Sequence, residues 1–237
     1  MRTNPPLLVI LILALSTSTI GAAYLIVADE GHDAPASVAS VNVSPTSTIV
    51  YSIEGKTFTV NVTITNVNDL YVWQVGIDFN ATLLEAINFE EGPFLKQTGT
   101  TLWINGTIDN TSGIIHYHAA ALAGNVTGAN DNGTLGTITF KTKNYGATNL
   151  QLINIILLNS NLAETDKTIV HGTVEIRILG DANGDQKVDV HDLFDLGRAY
   201  GSNPLMPNWN PECDFNADNR VDASDLSDLS ENHGKTT

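Results

Sequence analysis

From Val38 to Ile178 apolar and polar residues alternate with period two. Phe58, Val60, Val62 and Ile64 interleave with Thr57, Thr59, Asn61, Thr63 and Thr65, so one face of a strand is apolar and the other threonine-rich. Tyr71, Trp73, Val75, Ile77 and Phe79 share one face of the next run, and Ile138 and Phe140 share another. Leu150 to Leu158 is almost continuously apolar, the pattern of a strand covered on both sides. Turn-forming groups separate the runs at Glu54-Gly55, Asn66 to Asp69, Glu91-Gly92-Pro93, Asn110 to Gly113, Asn130 to Gly133 and Asn144 to Gly146. About nine strands with no helix among them predict a mainly β fold over 38–178, an antiparallel β-sandwich.

Beyond Gly180 the period becomes helical. Leu193, Leu196 and Tyr200, then Leu226, Leu229 and His233, fall on one face of two short helices, with Gly201 and Gly234 placed as C-terminal stops. Both helices belong to an internal repeat in which Asp181 to Leu196 aligns with Asp214 to Leu229. Asp181, Asn183, Asp185, Asp189 and Asp192 take the first, third, fifth, ninth and twelfth places of one loop, and Asp214, Asn216, Asp218, Asp222 and Asp225 take them in the other. A hard cation wants six to eight oxygens, and alternate residues of a turning loop aim inward to supply them. The seventh residue, Lys187 or Arg220, adds its carbonyl. Residues 180–237 therefore read as a small α-helical module built on paired calcium loops, with two Ca2+ sites and no helix entering either loop. Gln186 and Asn219 stand at the sixth place, where positive φ favours Gly; Asn tolerates that conformation, whereas Gln costs about 1 kcal/mol, so the first site is expected to be the weaker.

Charge sharpens the division. Of 26 Asp and Glu against 11 Lys and Arg, the stretch from Gly180 onward holds 12 acids and 4 bases. No basic cluster exists to contact phosphates, which excludes a nucleic-acid partner. The single cysteine, Cys213, rules out a disulfide framework and reads as a small buried residue. Residues 1–28 combine one basic residue, a leucine-rich run and a small-residue site at Ala22 or Ala23, the form of a secretory signal; uncleaved, the segment is long enough to anchor the chain in a bilayer. Either way the remainder is expected at the cell surface or outside the cell. Seven sequons, at Asn42, Asn61, Asn80, Asn105, Asn110, Asn125 and Asn132, all precede the acidic tail.

The segments Gly55-Lys-Thr-Phe-Thr-Val-Asn-Val-Thr-Ile, Trp73-Gln-Val-Gly-Ile-Asp-Phe-Asn-Ala-Thr-Leu-Leu-Glu-Ala, Gly133-Thr-Leu-Gly-Thr-Ile-Thr-Phe-Lys and Gly172-Thr-Val-Glu-Ile resemble a cohesin domain along essentially its whole length. That resemblance implies a nine-stranded jelly-roll sandwich whose flat sheet face docks a dockerin-bearing protein. The duplicated loop and exit helix, with Asp rather than Glu at the twelfth place, resemble a type I dockerin, as in cellulosome-like or archaeal cell-surface adaptors. This implies a cohesin-bearing partner at the tail, chosen in part by the tenth and eleventh loop positions, Val190-His191 and Ala223-Ser224.

Other chemistry is sparse. His116 and His118 lie two apart on a strand and would share a face, but no third metal ligand accompanies them. Trp73 belongs with the core, whereas Trp103 falls beside Thr101 and Asn105, opposite Leu102 and Ile104, and is the candidate carbohydrate or partner contact, the alternative being an indole packed under a loop. No Gly-x-Ser-x-Gly, His-Glu-x-x-His or phosphate-binding glycine loop occurs. The expectation is a non-catalytic extracellular adaptor, not an enzyme. The alternative is a carbohydrate-binding protein of a polysaccharide-degrading system, tethered through its dockerin. A chain carrying receptor and plug together also allows head-to-tail self-assembly, because a contact between unlike surfaces propagates into a ring or a filament.

Overall fold

The computed structural model describes residues 38–51, 55–124 and 126–237. The expected signal or anchor segment, the turn residue Glu54 and the sequon residue Asn125 lie outside the described residues. Among the described residues eleven strands form the sandwich: β1 (Ala39–Ser44), β2 (Ser47–Tyr51), β3 (Thr57–Asp78), β4 (Leu84–Glu91), β5 (Thr101–Ile104), β6 (Thr107–Asp109), β7 (Ile114–Leu122), β8 (Ala129–Thr142), β9 (Gly146–Asn159), β10 (Lys167–Val170) and β11 (Gly172–Arg177). Two α-helices follow, α1 (Val190–Ala199) and α2 (Ala223–Asn232). The count exceeds the expected nine because short runs at β6 and β10 carry too few residues to show an alternation.

The long β3 explains how one chain makes two layers. Its first part, Thr57 to Thr65, lies between β1 and β8, while Val72 to Asp78 lies between β9 and β7. The two parts thus belong to opposite sheets, β10-β1-β3-β8-β4 and β2-β11-β9-β3-β7 with β5 and β6 at its edge. The crossing falls at the predicted turn, where Asn66 and Asp69 take φ of 56° and 60°, conformations that Asn and Asp tolerate best among residues with a Cβ. Side chains replace the interrupted ladder: Asn132 and Asn130 accept from the amides of Asn66 and Asp69, and the Asp69 carboxylate accepts from Gly128 and Ser160. Strand pairing is antiparallel throughout except for β1 with β10 and β2 with β11.

Between the layers, Val60, Val62, Ile64, Ile138 and Phe140 from one sheet meet Trp73, Val75, Ile77, Leu152 and Leu157 from the other. The alternation placed those of β3 and β8 correctly. The tail has its own cluster, in which Val188 and Val221, at matching places in the two loops, pack with Leu196, Leu229, Phe215 and Cys213. Burial pushes the Cys213 thiol up to about 12, so it packs as an inert apolar group.

Candidate docking faces and metal-binding loops

Each acidic loop is wound around its own carboxylates. The Asp181 carboxylate accepts from the amides of Gly184, Asp185 and Gln186 at 2.8–3.2 Å; Asn183 accepts from Asp185, and Asp185 from Lys187. Asp189 is the N-cap of α1, while Asp192 bonds back to the Asp189 amide and, through its other oxygen, to Ala182 and Asn183. The second copy repeats this. Asp214 accepts from Asp218 and Asn219, Asn216 from Asp218, Asp218 from Arg220, and Asp225 from Phe215 and Asp222. Short side-chain acceptors facing amides a few residues on are what bend a chain this tightly, so the loops fold from local sequence. The sixth residues, Gln186 and Asn219, have φ of 68° and 67°, as expected. The fourth place is also left-handed in both copies, at Gly184 and Ala217. Gly184 carried the signal for it; alanine at 217 hid it.

The two halves interlock. Val188 exchanges two backbone hydrogen bonds with Gly234 and Lys235, which follow α2, and Val221 exchanges two with Gly201 and Ser202, which follow α1. Each loop is thereby closed by the exit of the other copy's helix, a pseudo-two-fold arrangement.

The donor set suits a hard cation. In each loop it comprises carboxylates, one amide oxygen and a backbone carbonyl, with no nitrogen or sulfur ligand. Asp181, Asp192 and Asp225 are fully buried. Burial drives the Asp181 and Asp214 carboxyls above the usual carboxylate range despite the loop amides that favour the anions. A buried anion in that condition is stabilised by a cation beside it. Among the described residues no three His, Cys, Asp or Glu side chains are gathered closely enough to grip a metal as they stand. Residues that would hold an ion are Asp181, Asn183, Asp185, the Lys187 carbonyl, Asp189 and Asp192, and Asp214, Asn216, Asp218, the Arg220 carbonyl, Asp222 and Asp225.

The positions expected to choose a partner lie at the surface. Val190 is 64% exposed, and His191, Ala223 and Ser224 are exposed as well. One turn on, α1 adds Leu193 and Phe194, the latter also 64% exposed with Arg198 over its ring. The matching places on α2 are Leu226 and Ser227, so the two faces differ in apolar content. Phe194 was missed because it lies off the stripe that packs inward.

A second apolar surface lies on the sandwich. Leu102, Ala121, Val72 and Leu158 form a row across β5, β7, β3 and β9, and Ile104, Ala119, Gln74 and Ile156 form the next. Val72, Ala119 and Ala121 are buried yet stand outside the core cluster, so they floor the outer face. Leu102, 48% exposed, stands on its rim with the half-buried Ile104, Ile156 and Leu158. The apolar run Leu150 to Leu158 is therefore not covered on both sides; its outer residues complete this shallow trough.

Two expectations fail here. Tyr117 adopts φ of 45° and shifts the register between β3 and β7, so His116 and His118 point to opposite faces. His118 is buried against Phe89 and Trp103, and its Nδ1 accepts from the Gly106 amide at 3.2 Å. Trp103 is turned inward too, packing on Trp73, Phe89 and His118, while Leu102 takes the outer side. A short strand flanked by Thr and Asn gave its faces no decisive polarity.

A family model for the cohesin domain matches residues 41–176, and one for the type I dockerin domain matches residues 179–232. Among solved structures, a non-cellulosomal cohesin from the hyperthermophilic archaeon Archaeoglobus fulgidus is 14% identical, with 59% of this chain and 91% of that one covered at a TM-score of 0.45. A cohesin–dockerin complex from Clostridium thermocellum, Coh-OlpC-Doc435, is 12% identical over 62% of this chain and 98% of that one, with a TM-score of 0.49. No curated protein matches the chain. Cohesin and dockerin are non-catalytic interaction modules, and type I dockerins generally bind calcium. Among the described residues no helix is long and apolar enough to cross a membrane.

Proposed function

The chain belongs to the cohesin domain family and carries a type I dockerin domain behind it, and from that premise we propose that it is an extracellular adaptor with a receptor face on the sandwich and a calcium-dependent plug in the tail. The observation that carries this reading is the presence of two separate apolar surfaces, the trough of β5, β7, β3 and β9 and the exposed side of α1. Contiguous exposed apolar surface of this kind marks a docking site. The trough takes a dockerin-bearing protein; the tail takes a cohesin-bearing one. Two Ca2+ ions, one per loop, hold the tail in its docking shape by neutralising the four ligand carboxylates of each loop. The polysaccharide-binding reading loses its stacking residue, since Trp103 packs inward.

The test uses the full chain in millimolar calcium. Leu102→Asp should abolish capture of dockerin-bearing proteins while retaining capture of cohesin-bearing ones, and Phe194→Asp should do the reverse. If both variants keep both activities, the assignment of faces is wrong. Light scattering on the wild type separates self-assembly from docking to other proteins: mass growth with calcium, reversed by chelator, supports the former, and a strict monomer excludes it.

A further inference from the structure

A helix ordinarily precedes each loop of a paired calcium module and packs beside the exit helix. Here β11 runs into the first loop through Ile178, Leu179 and Gly180, and only a three-residue 3-10 turn, Pro211–Cys213, precedes the second. The end of the sandwich packs against the tail instead. Ile178 already belongs to the apolar cluster of the tail, and Tyr145 packs against both that cluster and the sandwich core. Tyr51, the last residue of β2, sets its ring edge-on to Phe215 at 5.2 Å, and its hydroxyl donates to the Glu212 carbonyl at 2.7 Å.

Arg177 ties the arrangement together. Its Nε and Nη2 donate to the two carboxylate oxygens of Glu175 at 2.8 and 2.9 Å, and Nη1 donates to Glu212 Oε2 at 2.7 Å and to the Ala182 carbonyl at 3.3 Å. One buried guanidinium thus holds its own strand, the second residue of the first loop and the residue two places before the first ligand of the second. The fit is close, since a Cβ placed on Gly184 would come within 2.7 Å of Nη2. Charge-assisted and bidentate bonds are the strongest of their kind, and removing a partner would leave a buried charge uncompensated.

We infer that sandwich and tail are one rigid body locked by Arg177, Glu212 and Tyr51, so that the chain presents its two docking faces at a fixed angle instead of on a swivel. The consequence for assembly rests on the adaptor reading; the joint itself does not. Partners bound at the two ends would then be set in one relative orientation, and neither face could turn to meet the other within a chain.

Backbone 15N relaxation of the full chain in millimolar calcium tests this. Amides of the sandwich and of the tail should report a single rotational correlation time; two independent times, with both modules folded, overturn the inference. The double variant Tyr51→Phe/Glu212→Gln leaves both apolar clusters intact and should shift the tail amides toward the faster tumbling of a body of their own size. Retention of one shared correlation time in that variant also overturns the lock. Should the double variant lose the dispersed shifts of the tail, Tyr51→Phe alone, which deletes one hydroxyl, gives the same comparison. Calcium titration of the wild type by calorimetry is read separately: absence of binding sinks the calcium-dependent plug and leaves the tumbling result standing.

Discussion

His118 should make the sandwich sensitive to mild acid. It is 1% exposed, its ring centroid lies 4.4 Å from that of Phe89, and its Nε2 has no hydrogen-bond partner among the described residues. Because Nδ1 accepts from Gly106, the folded state holds the neutral ring, and burial depresses its pKa from 6.5 to about 4. The unfolded chain therefore binds a proton at a pH where the native state refuses one. The stabilisation is fully present above pH 6.5 and is lost as pH falls toward 4. At 1.36 kcal/mol per pH unit that loss is about 3 kcal/mol at most, with about 2 kcal/mol of it gone between pH 7 and pH 5. Denaturant unfolding at these two pH values measures it, and His118→Phe supplies the control, because its own stability should change by about 2 kcal/mol less over the same interval. Carboxylates titrate in both proteins, so only the difference between the two is diagnostic. An NMR-determined His118 pKa at or above 6, or equal pH slopes in the two proteins, would refute the reasoning.

The tail yields further expectations. Ala217→Gly should stabilise it by about 1 kcal/mol, because Ala217 occupies φ of 60° with a Cβ; Gln186→Gly should do the same, and unchanged midpoints in thermal melts would count against that strain. Asp192→Ala removes an acceptor from the amides of Ala182, Asn183 and Asp189 at once, so calorimetry should show the loss of one calcium site together with a tail destabilised by about 2–4 kcal/mol. Hydrogen exchange of the tail amides should be much slower in millimolar calcium than in chelator, since an ion that binds only the folded loops adds stability by mass action. Equal protection in both would exclude calcium as its staple. Gly106→Ala should impair the sandwich, as a Cβ there would sit 1.8 Å from the His116 carbonyl; a wild-type melting temperature would show that the β5–β6 turn can move aside.

What the sequence determined by itself is whatever closes within a few residues. The two acidic loops were legible as bends because each bond that shapes them spans five residues or fewer, or returns from the twelfth place to the loop's own start, and the repeat states the pattern twice. The core face of the first part of β3 was legible because alternation from Thr57 to Thr65 leaves only one side to bury. Tertiary structure decided the rest, wherever a side chain's surroundings come from far along the chain. A single positive-φ residue, Tyr117, sent His118 inward, and no count of alternate positions carries that information. Trp103 and Leu102 exchanged their expected sides because the aromatic pocket for Trp103 is assembled from β3, β4 and β7. The joint was the least visible feature of all, since Tyr51 meets Glu212 across 161 residues and Arg177 meets it across 35. In the sequence those three are ordinary polar positions, and only the packing of the tail against the end of the sandwich makes them partners.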